Sequence, residues 1–179
     1  KLVVGIENLP YKSILEPLLG NVMLDLGGTI STKTTQKERT PFIANDGTKV
    51  APIICYESVY GEYVNGFVNN GAQFLAIITN DAWWNETQGH KQHLTFASLR
   101  AIETRRDIAR SANTGISAFI NQKGEIISRT KYGEKTALKG NVHLNSAMTF
   151  YVFSGDYIAY TATFFLSLFC GYILIKKRN

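Results

Sequence analysis

The spacing of hydrophobic and polar positions changes several times along the chain, and each change predicts a different element. Val50–Cys55 and Phe74–Thr79 are short, continuous apolar runs bounded by turn residues, which is typical of strands covered on both faces. Between them, Ser58–Asn70 has apolar positions at helical spacing and ends before a glycine. The stretch from Gln88 to about Ala112 has the pattern of a longer amphipathic helix, whose polar positions include Arg100, Arg105, Arg106 and Arg110. Strands that alternate with helices predict an α/β layer in which neighbouring strands are parallel.

Turn residues between short apolar runs predict two hairpins. The first pairs Phe42–Ala44 with the strand that starts near Lys49, because Asp-Gly lies between them. The second pairs Ile116–Asn121 with Glu125–Arg129 around a Lys-Gly turn. These hairpins add antiparallel strands to the predicted layer.

Two stretches lack a regular pattern. Residues 8–40 contain two prolines, several glycines and a run rich in Thr, Ser and Lys, so they are predicted to form a long loop with one short helix near Ser13–Leu19. Residues 136–149 form the second stretch, which we interpret as the approach to a membrane.

The C-terminal run is the longest apolar segment. Tyr157–Ile175 contains nineteen residues without a charge and is followed by a basic tail. About twenty apolar residues in a helix cross the hydrocarbon core of a bilayer, so we predict a transmembrane helix at 157–175. Basic residues directly after a span favour a cytoplasmic end, which would place residues 1–156 on the other side of the membrane and the tail, 176–179, in the cytoplasm. The alternative is a buried core helix with a solvated tail.

Composition and charge narrow the class of protein. The chain has 179 residues, 45% of them apolar, which suits one domain with a hydrophobic core. Three of the five net positive charges lie at residues 176–178, which leaves +2 for the rest. So small a charge provides no electrostatic footprint for nucleic acid. The chain begins with Lys1 rather than Met, so we expect it to be part of a longer protein.

Cys55 is the main candidate for chemistry. It ends an apolar strand and lies just before a helix, and sites in open α/β sheets form at the carboxyl ends of strands. Amides at a helix N-terminus favour the thiolate form and can stabilise an oxyanion. The alternative is a small buried hydrophobic residue. The neighbouring Glu57 is unusual, because a carboxylate at a buried turn needs a partner or a proton.

The next strand end is followed by the sequence Asn80-Asp-Ala-Trp-Trp. By topology this loop lies near Cys55, and it is interpreted either as a lipid-facing loop or as ordinary capping with aromatic packing. His90 and His93 are three residues apart on the predicted helix, but no further ligand has a suitable spacing, so no metal site is predicted.

Several strings resemble the apolipoprotein N-acyltransferases, which are membrane-embedded members of the nitrilase superfamily. They are KLVVGIENLP, APIICYES and ITNDAWWNETQGHKQHLTFASLRAIETRRDIARSANTGISAFINQKGEI, followed by the C-terminal apolar run. Soluble nitrilases share the cysteine strand but lack the span. The resemblance implies a nitrilase-like αββα sandwich, partial in this chain, on the periplasmic face of a bacterial inner membrane, with a Glu-Lys-Cys catalytic triad and no cofactor.

Residue by residue, the resemblance implies that Cys55 is the nucleophile and Glu57 the active-site glutamate that follows it. Glu7 resembles a further glutamate shortly after the catalytic lysine, although the preceding Val-Gly-Ile departs from the family's Pro-Phe-Gly. The lysine itself is expected two positions upstream of Lys1, and the base glutamate further upstream. We therefore expect this chain to be an inactive C-terminal portion. The residues expected to contact substrate are Tyr56, Asn80, Trp83 and Trp84.

The implied reaction moves a fatty acyl chain from a phospholipid, through a thioester on Cys55, to the N-terminal diacylglyceryl-cysteine of an apolipoprotein. The partners are thus the phospholipid donor, the apolipoprotein acceptor and the membrane, without nucleic acid. Two alternatives stay open. One is a nitrilase-type amidase that hydrolyses C–N bonds, and the other is a non-catalytic membrane-anchored remnant.

Overall fold

The computed structural model describes residues 36–178, which contain a six-stranded mixed sheet. The strands follow one another across the sheet in chain order. The second, third and fourth are mutually parallel, and the other neighbours are antiparallel. The strands are β1 (Phe42–Ile43), β2 (Lys49–Ile54), β3 (Phe74–Thr79), β4 (Ile108–Ala112), β5 (Ala118–Ile120) and β6 (Ile126–Arg129).

Within residues 36–178, four helices accompany the sheet, and three of them contribute side chains to the core. They are α1 (Gly61–Asn69), α2 (Gln88–Thr104), α3 (Phe150–Ser154) and α4 (Tyr157–Arg178). Short 3₁₀ turns at Cys55–Val59 and Asp81–Trp84 follow β2 and β3. Apolar side chains of α1 and α2, together with Val152 of α3, pack against one face of β2 and β3 in a single hydrophobic cluster. The apolar positions of the helices and of the strands therefore face the same core. The predicted α/β layer and both hairpins are confirmed.

The central strands alternate instead of being covered on both faces. Ile53 and Ile77 are fully buried, whereas their neighbours Ile54 and Ile78 are 64% and 61% exposed. Successive side chains of a strand point to opposite faces, and the core covers only one of them at these positions. The expectation of two-sided burial is therefore wrong here.

The second helix ends eight residues earlier than predicted, at Thr104. Arg105 has a left-handed φ of 51°, and Ile108–Ala112 pairs in parallel with β3 as strand β4. Arg106, predicted on a polar helix face, is fully buried and donates to the carbonyl oxygens of Ala72 and Ala147, each at 2.8 Å. These tertiary hydrogen bonds outweigh the helical propensity of the segment.

Residues 136–149 have no regular secondary structure, but they lie against the domain. Asn145 donates to the Arg105 carbonyl oxygen at 2.8 Å, and Thr149 donates to that of Glu103 at 2.6 Å. The segment interpreted as an approach to the membrane is thus hydrogen-bonded to the end of α2. The short helix predicted near Ser13–Leu19 lies outside the described residues.

Helix α4 is confirmed as a long apolar helix. Tyr157–Lys176 has a mean hydropathy of 1.9 and is long enough to cross a membrane, and none of its most apolar window is buried inside the protein. The alternative of a buried core helix is therefore wrong. At the start of α4, the Tyr160 hydroxyl donates to Glu62 of α1 at 2.8 Å.

Candidate active site

Cys55 lies where β2 ends, at the first position of the 3₁₀ turn. Its thiol is free and partly exposed, and its φ of 50° is left-handed, which is uncommon for a residue with a side chain. Two groups lie against its carbonyl oxygen: the Ser58 hydroxyl donates to it at 2.9 Å, and His93 Nε2 lies 3.2 Å away. The turn thus places the sulfur at the carboxyl edge of the sheet, and the contacts of Ser58 and His93 with the Cys55 carbonyl oxygen hold its backbone in position.

Glu57 has the partners that its burial requires. One carboxylate oxygen accepts from the Ile54 backbone N–H at 2.8 Å, and the other accepts from the Tyr63 hydroxyl at 2.6 Å. Because Ile54 directly precedes Cys55, these hydrogen bonds link the turn to α1. The catalytic role expected for Glu57 stays a prediction.

The loop after β3 lies beside Cys55, as its position in the topology predicts. Ile54 of β2 pairs with Ile78 of β3, so the residues that follow them meet at the same edge. Thr79 Oγ1 lies 3.2 Å from Cys55 Sγ and 2.9 Å from Asp81 Oδ1. The side chain of Asp81 is fully buried although its residue belongs to the loop.

Asp81 is the centre of a buried polar network. Its carboxylate lies 2.9 Å from His93 Nδ1 and accepts from Arg110 Nη2 at 2.7 Å. Burial alone would raise the pKa of Asp81, but the hydrogen bond with His93 and the Arg110 charge hold that pKa below its ordinary value. Gly115 leaves the space that this carboxylate fills, because a Cβ there would overlap it.

Arg110 brings a positive charge close to the site. Burial lowers the pKa of its guanidinium and the Asp81 carboxylate opposes that change, but an arginine side chain keeps its proton in proteins. Its Nη1 has no hydrogen-bond partner among the described residues. The charge of Cys55, in its thiolate form, interacts favourably with this guanidinium.

Ser58, His93 and Asp81 are arranged like the members of a hydrolase triad, with His93 Nε2 3.1 Å from Ser58 Oγ. Ser58 is fully buried, however, and its hydroxyl donates to a backbone carbonyl. A substrate cannot reach that hydroxyl. The serine therefore supports the Cys55 turn and is not a second nucleophile.

The four expected substrate-contacting residues have different surroundings. The Tyr56 ring centroid lies 6.5 Å from that of Trp84 and 6.1 Å from that of His93, so these rings cluster beside the cysteine turn. Trp83, by contrast, is 71% exposed. Asn80 accepts from the Ala82 backbone N–H at 3.2 Å and caps the 3₁₀ turn. Of the three aromatic residues, Trp83 is the most exposed, as a lipid-contacting residue would be.

His90 lies in a set of contacts separate from those of Cys55. His90 Nδ1 lies 3.2 Å from the Asn85 carbonyl oxygen, and its ring packs on Tyr132 with centroids 4.4 Å apart. Across residues 36–178, no group of three or more His, Cys, Asp or Glu residues could hold a metal ion. Glu7 lies outside the described residues.

Sequence reasoning missed the network behind the cysteine. The sequence pattern predicts Thr79 only as the end of a strand and Arg110 only as a polar position on a helix. The available signal was a group of four arginines, at 100, 105, 106 and 110, and all of them except Arg105 are buried in the structure. Their burial needs partners, and Asp81 provides one of them.

Comparisons with known proteins find relatives that match nearly the whole chain. Over 182 aligned residues the chain is 34% identical to an apolipoprotein N-acyltransferase from Chlorobaculum tepidum, with 99% of this chain and 34% of that protein covered. A second, from Photobacterium profundum, is 30% identical over 97% of this chain and 32% of its own length. The chain therefore spans about a third of the length of these relatives, and the resemblance that the motifs suggest is confirmed.

The fold has a match among solved structures. A carbon–nitrogen hydrolase from Helicobacter pylori G27 superposes with a TM-score of 0.50 over 57% of this chain and 43% of that one, at 14% identity. The sequence profile of the carbon–nitrogen hydrolase family matches residues 11–150, a range that includes the cysteine turn and its buried support. On that match and on the shared α/β fold, this chain belongs to the carbon–nitrogen hydrolase family.

Proposed function

We propose that this chain is the nucleophile-bearing portion of a membrane N-acyltransferase that adds a fatty acyl chain to apolipoproteins. The single observation that carries the proposal is the position of Cys55: a free, partly exposed thiol at the carboxyl edge of the sheet, in a chain that also has an unburied apolar helix of spanning length. The relatives named apolipoprotein N-acyltransferase support the same activity.

The proposed reaction has two steps. In the first, the thiolate of Cys55 attacks the ester carbonyl of a phospholipid, the C–O bond breaks, and the lysophospholipid alkoxide takes a proton as it leaves. In the second, the α-amino group of a diacylglyceryl-cysteine attacks the thioester, an amide forms, and the thiolate is released as the amine loses a proton. The Glu and Lys expected upstream of Lys1 would move these protons, together with Glu7 and Glu57, so activity is a property of the full-length protein.

Location follows from the same features. We propose that residues 1–156 belong to the catalytic domain on the periplasmic side of a bacterial inner membrane, and that residues 157–175 cross it to a cytoplasmic tail. Trp83 is exposed and suits an interface, where indole rings sit favourably, and Tyr56, Trp84 and Asn80 line the nearby turn. Both lipid substrates would then meet the thiol at membrane depth.

The test is to trap the intermediate. Purified full-length protein is incubated with phospholipid alone, and the peptide that contains Cys55 is analysed by mass spectrometry. The proposal predicts an acyl adduct on that peptide that hydroxylamine removes, as it does other thioesters. Cys170→Ser serves as the matched control and should keep the adduct.

Two outcomes would contradict the proposal. Release of ammonia from small amides without an acyl adduct would favour the amidase alternative. Absence of both reactions in a protein whose sequence includes the upstream Glu and Lys would favour a non-catalytic remnant.

A further inference from the structure

The hydroxyl of Thr79 lies between the Cys55 sulfur and the Asp81 carboxylate. Thr79 ends β3, is itself buried, and has Cys55 Sγ at 3.2 Å and Asp81 Oδ1 at 2.9 Å. Both distances are within hydrogen-bond range, the longer one being to the larger sulfur atom. Nothing in a buried strand end requires such a hydroxyl, since valine has the same shape.

One hydroxyl has one hydrogen, so Thr79 donates to one neighbour at a time. While the thiol is protonated, its S–H donates to Thr79 Oγ1 and the Thr79 hydroxyl donates to the Asp81 carboxylate. Once the sulfur is a thiolate, the same hydroxyl turns and donates to the sulfur. The two arrangements use the same heavy-atom positions and differ only in hydrogen placement.

Asp81 tolerates this exchange because it has other partners. His93 and Arg110 stay hydrogen-bonded to the carboxylate when the Thr79 hydroxyl turns away. A buried carboxylate with two strong hydrogen-bond partners left is still satisfied, so rotation of the Thr79 hydroxyl costs little free energy. The network thus fixes the position of the Thr79 side chain but leaves its hydroxyl hydrogen free to point to either neighbour.

We propose that Thr79 is a positioning residue for Cys55: its hydroxyl donates to the sulfur when the thiolate forms and fixes the direction in which that sulfur points. This inference rests on the proposed role of Cys55 as nucleophile. The charged and titratable groups around the sulfur are Glu57 on its own turn, Asp81 after β3, His93 on α2 and Arg110 on β4. A substitution at Thr79 leaves these four residues in place, and of them only Asp81 loses a hydrogen bond.

The test measures the sulfur directly in the full-length protein. Wild type, Thr79→Val and Thr79→Ser are alkylated with iodoacetamide from pH 5 to pH 10, and the peptide containing Cys55 is quantified by mass spectrometry. Hydrogen bonds to charged groups are strong, so Thr79→Val should slow alkylation at neutral pH by about tenfold or more and move the half-maximal rate to higher pH. Thr79→Ser should restore the wild-type profile to within about threefold, since it keeps the hydroxyl.

Two controls isolate the hydroxyl. Thr95→Val makes the same change on the exposed side of α2, where the hydroxyl donates only to a helix carbonyl, and should leave the profile unchanged. Thr79→Ala also lacks the hydroxyl but adds no bulk, so it repeats the test if the valine variant does not fold. Thermal unfolding of each variant shows whether the fold is kept.

The proposal is overturned if folded Thr79→Val or Thr79→Ala alkylates with the wild-type pH profile, or if Thr79→Ser is as slow as Thr79→Val. Alkylation needs no acyl donor, which separates this result from the proposed function. A hydroxyl effect in a protein that forms no acyl adduct would contradict only the acyltransferase proposal. An adduct formed equally well by Thr79→Val would contradict only the positioning role.

Discussion

Asp81 holds together the buried polar network beneath the cysteine turn. It is fully buried, and its carboxylate is shared by Thr79, His93 and Arg110. Removal of its charge would leave the Arg110 guanidinium buried without its counter-ion, and uncompensated buried charges are strongly destabilising. A single carboxylate therefore links the stability of the domain to the geometry of the cysteine turn.

Asp81→Asn should lower the free energy of unfolding by about 3–5 kcal/mol at neutral pH. The folded pKa of Asp81 lies below its ordinary 3.8, so its stabilisation is present above that value and is lost as the pH falls through the lower, folded pKa. Thermal unfolding between pH 7 and pH 3 should show acid destabilisation in wild type and a flatter profile in the variant. Asp46→Asn, an exposed turn residue, is the control, and equal melting of Asp81→Asn and wild type at pH 7 would contradict this account.

Trp83 carries the proposed contact with lipid, because it is exposed while Trp84 packs beside Tyr56 and His93. Trp83→Ala should lower the rate of acyl transfer from phospholipid vesicles several-fold, since it removes an interfacial indole. Trp83→Phe keeps an aromatic ring and should retain most of the rate. Phe42→Ala removes another exposed ring, at the sheet edge, and should change nothing. An unchanged rate for Trp83→Ala would remove this residue from the proposal.

At the scale of elements, the junction between α2 and β4 determines where β4 starts and how it joins the sheet. Arg105 adopts left-handed backbone directly after Thr104, which ends the helix and turns the chain into β4. β4 then lies parallel to β3 and brings Arg110 beneath the carboxyl edge. Without this turn the arginine would continue along the helix, away from Asp81.

Arg105→Gly should raise the free energy of unfolding by about 0.5–1 kcal/mol, because a left-handed residue with a Cβ is strained and glycine is not. Arg105→Ala removes the same side chain, including its hydrogen bond to the Gln122 carbonyl oxygen, without relieving the backbone. The difference in melting temperature between the two variants isolates the backbone effect. A glycine variant no more stable than the alanine variant would show that the position is not strained.

The same junction shows how far the sequence predicts the fold. The hairpins around Gly47 and Gly124 follow from local turn chemistry, and both glycines have positive φ. The end of α2 could not be predicted, because the segment after Thr104 has helical propensity and is overridden by tertiary hydrogen bonds from the buried Arg106. Local patterns predict elements well where the stabilising contacts are themselves local.

In the candidate site, too, the features set by strand order could be predicted and those set by distant tertiary contacts could not. The sequence predicts that Cys55 and the loop after β3 are neighbours, because parallel strands end at one edge. The structure places the last residue of β3, Thr79, 3.2 Å from the Cys55 sulfur and packs Trp84 of the loop beside Tyr56. The partnership of Asp81 with His93 and Arg110 joins three elements distant in the chain, so no spacing rule reveals it. Only the need of buried charges for partners indicated that such a network exists.

For the whole molecule, the central feature is an α/β layer joined to an apolar helix. Helix α4 begins two residues after Gly155, and its first turn is tied to α1 through Tyr160 and Glu62. Its residues from 157 to 176 are exposed except Gly171, and an apolar surface this large is rare on a protein in water. A bilayer around α4 would remove that exposure and fix the distance of the site from the lipid.

Cys170 reports on this arrangement because it lies in the middle of α4. In intact membranes it should resist a membrane-impermeant maleimide and should react only after denaturation, since hydrocarbon excludes both reagent and thiolate. Ser146→Cys, an exposed position outside the span, should label readily under the same conditions. Ready labelling of Cys170 in intact vesicles would contradict a membrane-spanning α4.

The most direct measurement of the central claim is the mass of lipoprotein N-termini from cells that contain only Cys55→Ala in the full-length protein. Loss of the thiol should abolish the third acyl chain, while Cys170→Ser, the matched control, should leave it in place. N-termini that carry only the diacylglyceryl group in the Cys55→Ala cells are the predicted result. A third acyl chain that persists in those cells would contradict the assignment of Cys55 as the nucleophile.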